Sequence, residues 1–364
     1  MTTYPAPSDP RRSPDFVLRS PDAVLAALPY LLGFMPSSSA VLLWLRSGRI
    51  LLTQRLDLPD SPSEAPAWLE AVFGHGAAAR TEEIILVLVT DRPDAGAIAA
   101  PVLAEADARG IDVRDVLHLA GERWTSLLCD DAGCCGPDGR LVQQGTRDMV
   151  AAEFALLGVA PLADRQALVS EFAADPDGLR SVAPLLDQRM ADRARRLAAG
   201  GEARETWRDE ACGSVLEALG GPRGRRTPAP AEEAEWAAAI ACSLMDVRVR
   251  DTVLWELTRR SRQLLQQALA TLTRAMVATP PGHVAPVATT CALVAWLLGD
   301  GARASIATER ALADDPGYSL ATLIAASLQA GLPPEAWREA TAGLSREECR
   351  YGADGAGRRR RRAS

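Results

Sequence analysis

The sequence predicts an α/β domain, a mixed sheet with hairpins and at least one crossover helix, followed by an all-α domain of packed helical hairpins. Three observations carry that expectation. Two strand-like runs, 40–46 and 49–58, flank Ser47-Gly48, the two-residue signal of a hairpin turn. An unbroken apolar run, Ile84-Ile-Leu-Val-Leu-Val89, precedes an Ala-rich helical pattern over 94–109, then Gly110 and a further strand over 113–119, the order of a crossover unit. From Met149 onward nearly every segment carries helical periodicity.

Each element has a local cause. Ser20-Pro21-Asp22 supplies an N-cap, a first-turn proline and an acid favoured by the helix dipole, opening a helix over 23–28 that Pro29 limits. A helix is expected around 67–75. The strand over 83–89 lacks alternation, so both of its faces should be covered and it should be central. After a turn at Ala120-Gly121 comes a strand over 123–128, and Gly136-Pro137-Asp138-Gly139 turns the chain back into a strand over 140–142. Helices are expected at 149–157, 165–173, 179–199 and 203–219, and beyond residue 230 at 231–244, 251–260, 262–277, 288–298, 302–313, 320–330 and 334–342.

Between these helical sets, residues 220–230 are rich in Gly, Pro and Arg and offer nothing large enough to anchor a core. That stretch is the expected linker. It separates an α/β domain with C-terminal helices over 17–219 from an all-α domain over 231–348, with disordered ends at 1–16 and 349–364.

Composition narrows the function classes. All 40 basic residues are Arg, a pattern expected of a GC-rich genome. Net charge is −7, and −12 without the run Arg358 to Arg362, so the body should repel a nucleic-acid backbone. That tail has no interleaved aromatic residues and reads as a solvated charge run, so nucleic acid is not the expected partner. The first 16 residues lack the apolar core of a signal peptide, and the longest apolar runs, 84–89 and 291–298, fall far below the ~20 residues of a membrane span. A cytoplasmic protein with reduced thiols is expected, and seven cysteines, an odd number, speak against a complete disulfide framework.

Gly299-Asp300, Ala304, Ala311-Leu312 and Asp315-Pro316 resemble the second half of a tetratricopeptide repeat, in which a tight turn joins two helices that cross on small residues. No Trp-x-x-Leu-Gly precedes them at the right spacing, and ordinary helical-hairpin packing explains the same spacing. A broader resemblance rests on two blocks in order: Leu18-Arg-Ser-Pro21 with Pro29-Tyr-Leu-Leu-Gly-Phe34 and Pro36, then Trp124-Thr-Ser-Leu-Leu-Cys-Asp-Asp-Ala-Gly-Cys-Cys135 with Pro137 and Gly139. Arg55-Leu-Asp-Leu-Pro59 and Asp246-Val-Arg-Val-Arg-Asp251 extend it. The chain so resembles an actinobacterial family known as domain of unknown function 4192, which implies an extent from about Leu18 into the second helical region but no activity, cofactor or partner.

Chemistry concentrates at Cys129, Cys134 and Cys135, in a loop between two turns. Packing of small, weakly polar side chains is the first reading of the cluster. Zinc is the second: three thiols fall one short of a tetrahedral set, so His118, Asp130, Asp131 or Cys212 would have to complete it, with His118 nearest in strand order. A reactive thiol is the third, opposed by Asp130, Asp131 and Asp138, whose negative charge disfavours a thiolate. Separately, Asp57 and Asp91 follow strand ends, where α/β proteins bind ligands, and could pair on a metal or in acid–base work; turn formation and helix capping are the first reading of both. No Gly-rich phosphate loop or nucleophile elbow occurs. The leading function is therefore non-enzymatic binding or scaffolding, with the helical domain receiving a protein partner; a metal- or thiol-dependent enzyme in the α/β domain and weak nucleic-acid binding through the tail are the alternatives.

Overall fold

The computed structural model describes residues 20–352 apart from Ala77, Ala132, Cys134, Pro137 and residues 221–228. The expectations for residues 1–16, for most of the linker, for Cys134 and for the Arg tail therefore lie outside the described residues. Contacts divide the chain into two compact units, one reaching Leu168 and including Ser327–Pro333, the other formed by Val169–Ala326 and the segment from Pro334.

The first unit is built on a six-stranded mixed sheet, β1 (Ser39–Arg46), β2 (Arg49–Asp57), β3 (Glu83–Val89), β4 (Asp112–Ala120), β5 (Arg123–Ser126) and β6 (Arg140–Leu141), in the order β2-β1-β3-β4-β5-β6. Ser47 (φ 50°) and Gly48 (φ 73°) both take positive φ, the conformation that lets a two-residue turn match the twist of β1 and β2. Among the described strands of this sheet only β3 and β4 run parallel, and the chain between them folds as α3 (Ala95–Ala108). A right-twisted parallel pair requires such a crossover, whereas every other neighbour is reached by an antiparallel return.

Both faces of the sheet are covered. Leu42, Trp44, Leu86, Leu88 and Val116 pack under α2 (Ala65–Phe73) and α3 through Val72, Phe73, Ile98 and Val102. On the opposite face Trp124, paired with Leu119, donates its indole N–H to Asp22 Oδ1 of α1 (Pro21–Leu32) at 2.9 Å. Helix α1 packs in turn on α4 (Gln144–Leu156), with Tyr30 stacked on Phe154 at 4.7 Å. The strand predicted to be central, β3, is buried from Ile84 to Val89, as its lack of alternation required.

Pro29 does not limit the first helix. Helix α1 continues to Leu32 and ends at Gly33 with φ 79°. Burial of Val24, Leu25, Leu28 and Leu32 along one stripe offsets the one lost backbone bond, a cost on the order of 3 kcal/mol.

The second unit is helical. It comprises α6 (Pro176–Ala199), α7 (Gly201–Ala218), α8 (Pro230–Leu244), α9 (Val247–Thr258), α10 (Arg262–Ala278), α11 (Val284–Leu297), α12 (Gly301–Asp314), α14 (Pro334–Thr341) and α15 (Arg346–Tyr351), while α5 (Arg165–Glu171) and α13 (Ser319–Gln329) each span the division. Every residue of α11 is buried, which makes it the axis of the unit, with α10 and α12 against it. Helices α6 and α7 pack on α8, α9 and α10, so the contact division falls near Leu168 and not at the 220–230 stretch. The interior faces of α6 (Val182, Leu186) and α7 (Trp207, Ala211, Val215) find their apolar partners there. At the other end α15 carries ordered, buried structure through Arg350, past the expected limit at residue 348.

The exclusive use of Arg has a packing consequence in this unit. Arg260 donates to Leu219 O at 2.9 Å, Arg262 to Leu298 O at 3.0 Å and Arg338 to Leu297 O at 3.2 Å, satisfying carbonyls that helix ends leave open. A planar fork reaches such carbonyls while staying charged, and burial alone pushes the pKa of Arg260 and Arg262 down from the ordinary value.

Candidate functional site

The cysteine loop begins where β5 ends. Leu127 N still bonds to Val116 O at 2.8 Å, and the Ser126 hydroxyl donates to Asp115 Oδ1 at 2.6 Å while accepting from Leu128 N at 3.3 Å. Within the loop Asp131 organises the backbone: its carboxylate accepts from Gly133 N at 2.8 Å and its carbonyl from Cys135 N at 2.7 Å. Cys129 and Cys135 are free thiols of intermediate exposure.

His118 is directed elsewhere. Its Nε2 lies 2.8 Å from Thr90 O, at the carboxyl end of β3, so the ring donates to a carbonyl there. In the β4–β5 register, Ala120 faces Arg123 and Leu117 faces Ser126, so the chain leaves β5 toward the amino end of β4, away from His118. Among the described residues no group of three or more His, Cys, Asp and Glu side chains is placed to hold a metal ion.

Asp57 and Asp91 do share one end of the sheet. Ser39 faces Asp57 on one side and Val89 on the other, so β1 lies between the two strand ends, and two strand spacings amount to about 10 Å. Two arginines lie at this end. Asp57 pairs with Arg55 at 2.6 Å, and Arg55 also donates to Ser39 Oγ at 2.8 Å. Arg92 forks onto Asp94 at 2.9 and 2.7 Å and reaches Pro59 O at 2.8 Å, while Asp91 itself stays exposed. The hydrogen bond from Arg92 holds the Asp94 carboxyl below its usual range. The spacing of Asp57 and Asp91 in the sequence gave no sign of the arginines beside them.

Two polar arrangements escaped the sequence. In the first unit Trp44 Nε1 donates to Gln54 Oε1 at 2.9 Å, Gln54 Nε2 donates to Ala71 O at 2.8 Å, and His75 Nε2 lies 3.2 Å from Gln54 Oε1. Since Gln54 Oε1 is the acceptor, His75 carries its proton on Nε2, which leaves Nδ1 buried without a partner. The ring sits edge-on to Trp44 at 4.7 Å and is only 7% exposed. Burial lowers its pKa below 6.5, and the charges of Arg109 and Arg80 act in the same direction.

In the helical unit α6, α7 and α8 border an open pocket of about 370 Å³. Its inner wall is Trp207, Ala211, Cys242 and Ser243, each under a tenth exposed. Across its rim run two ion pairs, Arg189 to Glu235 at 2.8 Å and Arg196 to Glu210 at 2.7 Å. The signal was present in the sequence, since Arg189, Asp192 and Arg196 recur at three- and four-residue steps on one helix face, but such spacing also describes any solvated helix. Desolvation pushes the pKa of the Cys242 thiol up, which keeps this wall uncharged.

With this geometry in place, the family profile described as Domain of unknown function (DUF4192) matches residues 21–335. The chain belongs to the DUF4192 family. No curated protein and no solved structure matches it. The DUF4192 match runs from the start of α1 into α14 and so takes in residues of both units. Within it, the segment Asp246–Asp251 proves architectural: Asp246 caps α9 through Arg248 N and Val249 N and pairs with Arg208 at 3.0 Å. Arg250 bonds to Tyr318 Oη at 2.9 Å and to Asp251 at 2.8 Å. Helix α15 lies beyond the matched residues.

Proposed function

We propose that this DUF4192 member is a non-enzymatic binding or scaffolding protein whose helical unit receives a protein partner. The observation that carries this reading is the way α11 and α12 pair. Gly299 takes φ 81° at the turn, Asp300 caps α12 through Arg303 N, and Ala304 and Ala311 are fully buried. Small residues at the crossing bring two helices close, the device by which tetratricopeptide-like hairpins stack into partner-binding surfaces. Around this axis the outer segments keep large apolar side chains in water, with Leu323 55% and Leu344 47% exposed. A strand-end enzyme centre has less support, because the aspartates there are engaged or solvated.

In-cell photo-crosslinking from Leu323 and Leu344, with Leu51 of β2 as the control position, tests the proposal. The expected result is one protein joined at the helical positions and not at Leu51, which then binds the purified chain saturably. Crosslinks from Leu51 alone, or catalytic turnover that depends on a bound metal, would overturn it.

A further inference from the structure

In the turn after α2, a buried histidine and a hold on a distant segment of the first unit occupy consecutive residues. His75 stands edge-on to Trp44 and against Gln54, with Nδ1 buried and unbonded. The next residue, Gly76, donates its backbone N–H to Ala330 O at 2.9 Å, and Arg80 reaches Gly331 O at 3.4 Å. Both bonds go to Ser327–Pro333, the segment that groups with the first unit. The approach is close, since a Cβ at Gly76 would lie 3.3 Å from the Ala330 oxygen. Ala78 N also bonds to His75 O at 3.1 Å, which joins the ring and the donor to Ala330 in one short turn.

The socket is built for a neutral ring. Gln54 Oε1 takes the Nε2 proton, and Gln54 Nε2 is spent on Ala71 O. Toward the ring β1 and β2 present Trp44 and Gln54, both uncharged, and residues 327–333 contain no ionisable side chain. The charges that act on it are positive, Arg109 at the end of α3 and Arg80 in the turn. Of the neighbouring acids, Glu105 is bound to Arg109 at 2.7 Å and Glu70 lies exposed beside Gly74. Burial is the largest effect and disfavours the imidazolium; the Val72 carbonyl favours it without offsetting that cost.

We propose that His75 is a proton-operated latch on the Ser327–Pro333 segment: a solvent proton taken up at Nδ1 drives the ring out of its socket, and the turn that leaves with it releases the Ala330 carbonyl. Local opening gives up the turn and two hydrogen bonds while the sheet keeps its core, whereas a closed latch would have to house a buried cation beside two guanidiniums. The sign follows from the lowered pKa. The latch is shut above pH 6.5, and its opening constant rises by up to about tenfold per pH unit below that value until the folded pKa is reached.

Hydrogen–deuterium exchange of the full chain between neutral pH and pH 5, with labelling times scaled to the intrinsic exchange rate, tests this. Amides of residues 327–333 should be protected at neutral pH and lose protection by up to about tenfold per pH unit below 6.5, while β3 stays protected. In His75→Gln, whose side chain takes up no proton, protection of 327–333 should be the same throughout. If that variant is open at every pH, the native chain with isotope-labelled histidine decides: the imidazole signal missing from the variant should titrate below 6.5, over the range in which protection is lost. Protection of 327–333 that is indifferent to pH, a loss shared by β3, a pH dependence retained in His75→Gln, or an imidazole that titrates outside that range would overturn the proposal. The result is separate from the protein-partner reading, whose crosslinks are read at Leu323 and Leu344.

Discussion

The indole Nε1 of Trp44 donates to Oε1 of Gln54 across 2.9 Å, joining a fully buried β1 side chain to the edge strand β2. This bond explains how a strand with exposed outer groups can carry a polar residue on its inward face. Gln54 serves Trp44, His75 and the Ala71 carbonyl at once, so one amide completes three elements of the first unit.

Replacing that amide should therefore be costly. Gln54→Leu leaves the Trp44 N–H buried without an acceptor and is expected to cost about 2 kcal/mol. Urea unfolding measures it, and a loss below about 0.5 kcal/mol would show that water takes over the acceptor role.

His75 gives the same cluster a pH dependence. Its pKa in the fold lies below the free value of 6.5, because burial and the nearby Arg109 and Arg80 disfavour the imidazolium. A depressed histidine pKa means that the folded state prefers the neutral ring. The stabilisation is complete above pH 6.5 and is lost as pH falls below it. Melting temperatures of the native protein and His75→Gln should thus converge or cross between neutral pH and pH 5, since all other groups titrate in both. A constant difference across that window would contradict the assignment.

Arg350 anchors the last described helix. It is 1% exposed and bonds to Glu205 Oε2 at 2.8 Å, Asp209 Oδ1 at 2.8 Å and Glu205 O at 2.7 Å. Arg350→Ala should destabilise by about 3 kcal/mol, at the lower end for a broken buried pair because Asp209 stays largely solvated. Arg350→Lys should recover less than half of that, since an ammonium cannot span two carboxylates and a carbonyl in one plane. Denaturant midpoints decide the matter; full recovery by Lys would reduce the contact to simple charge.

The cysteines should separate by exposure. Cys129 and Cys135 are partly open, whereas burial raises the pKa of Cys212, Cys242 and Cys349, and that of Cys291 is pushed up to about 12. A thiol-reactive dye at pH 8 is expected to show a fast phase that shrinks by two thiols in a Cys129→Ser, Cys135→Ser double variant, with the buried four reacting only on unfolding. Protein purified without chelators should carry well under one zinc per chain, because His118 is committed to Thr90 O. Stoichiometric zinc with all loop thiols protected would restore the metal reading.

Much of the architecture was legible because it follows from local rules. The Ser47-Gly48 turn, the unbroken apolar run of β3 and the glycine-ended crossover helix each state their geometry within a dozen residues. Pro29 was misread for the same reason: the local rule for proline is sound, but the burial of Leu28 and Leu32 that overrides it comes from α1 packing in the first unit. The 220–230 stretch was read as the domain boundary because composition marks chain breaks, while the grouping of α6 and α7 depends on which apolar faces they meet.

The candidate sites divide along the same line. Residue type and spacing pointed to Cys129, Cys135, His118, Asp57 and Asp91, but spacing did not contain the Thr90 carbonyl that engages His118 or the ion pair of Asp57 with Arg55. By itself the sequence determined the order of strands and helices, the family and the acidic, Arg-only surface chemistry, because these depend on period, turn residues and composition. Only the tertiary structure decided which charges are answered and which are not, since a guanidinium finds its partner through space, one helix or one strand away, at positions no local spacing encodes.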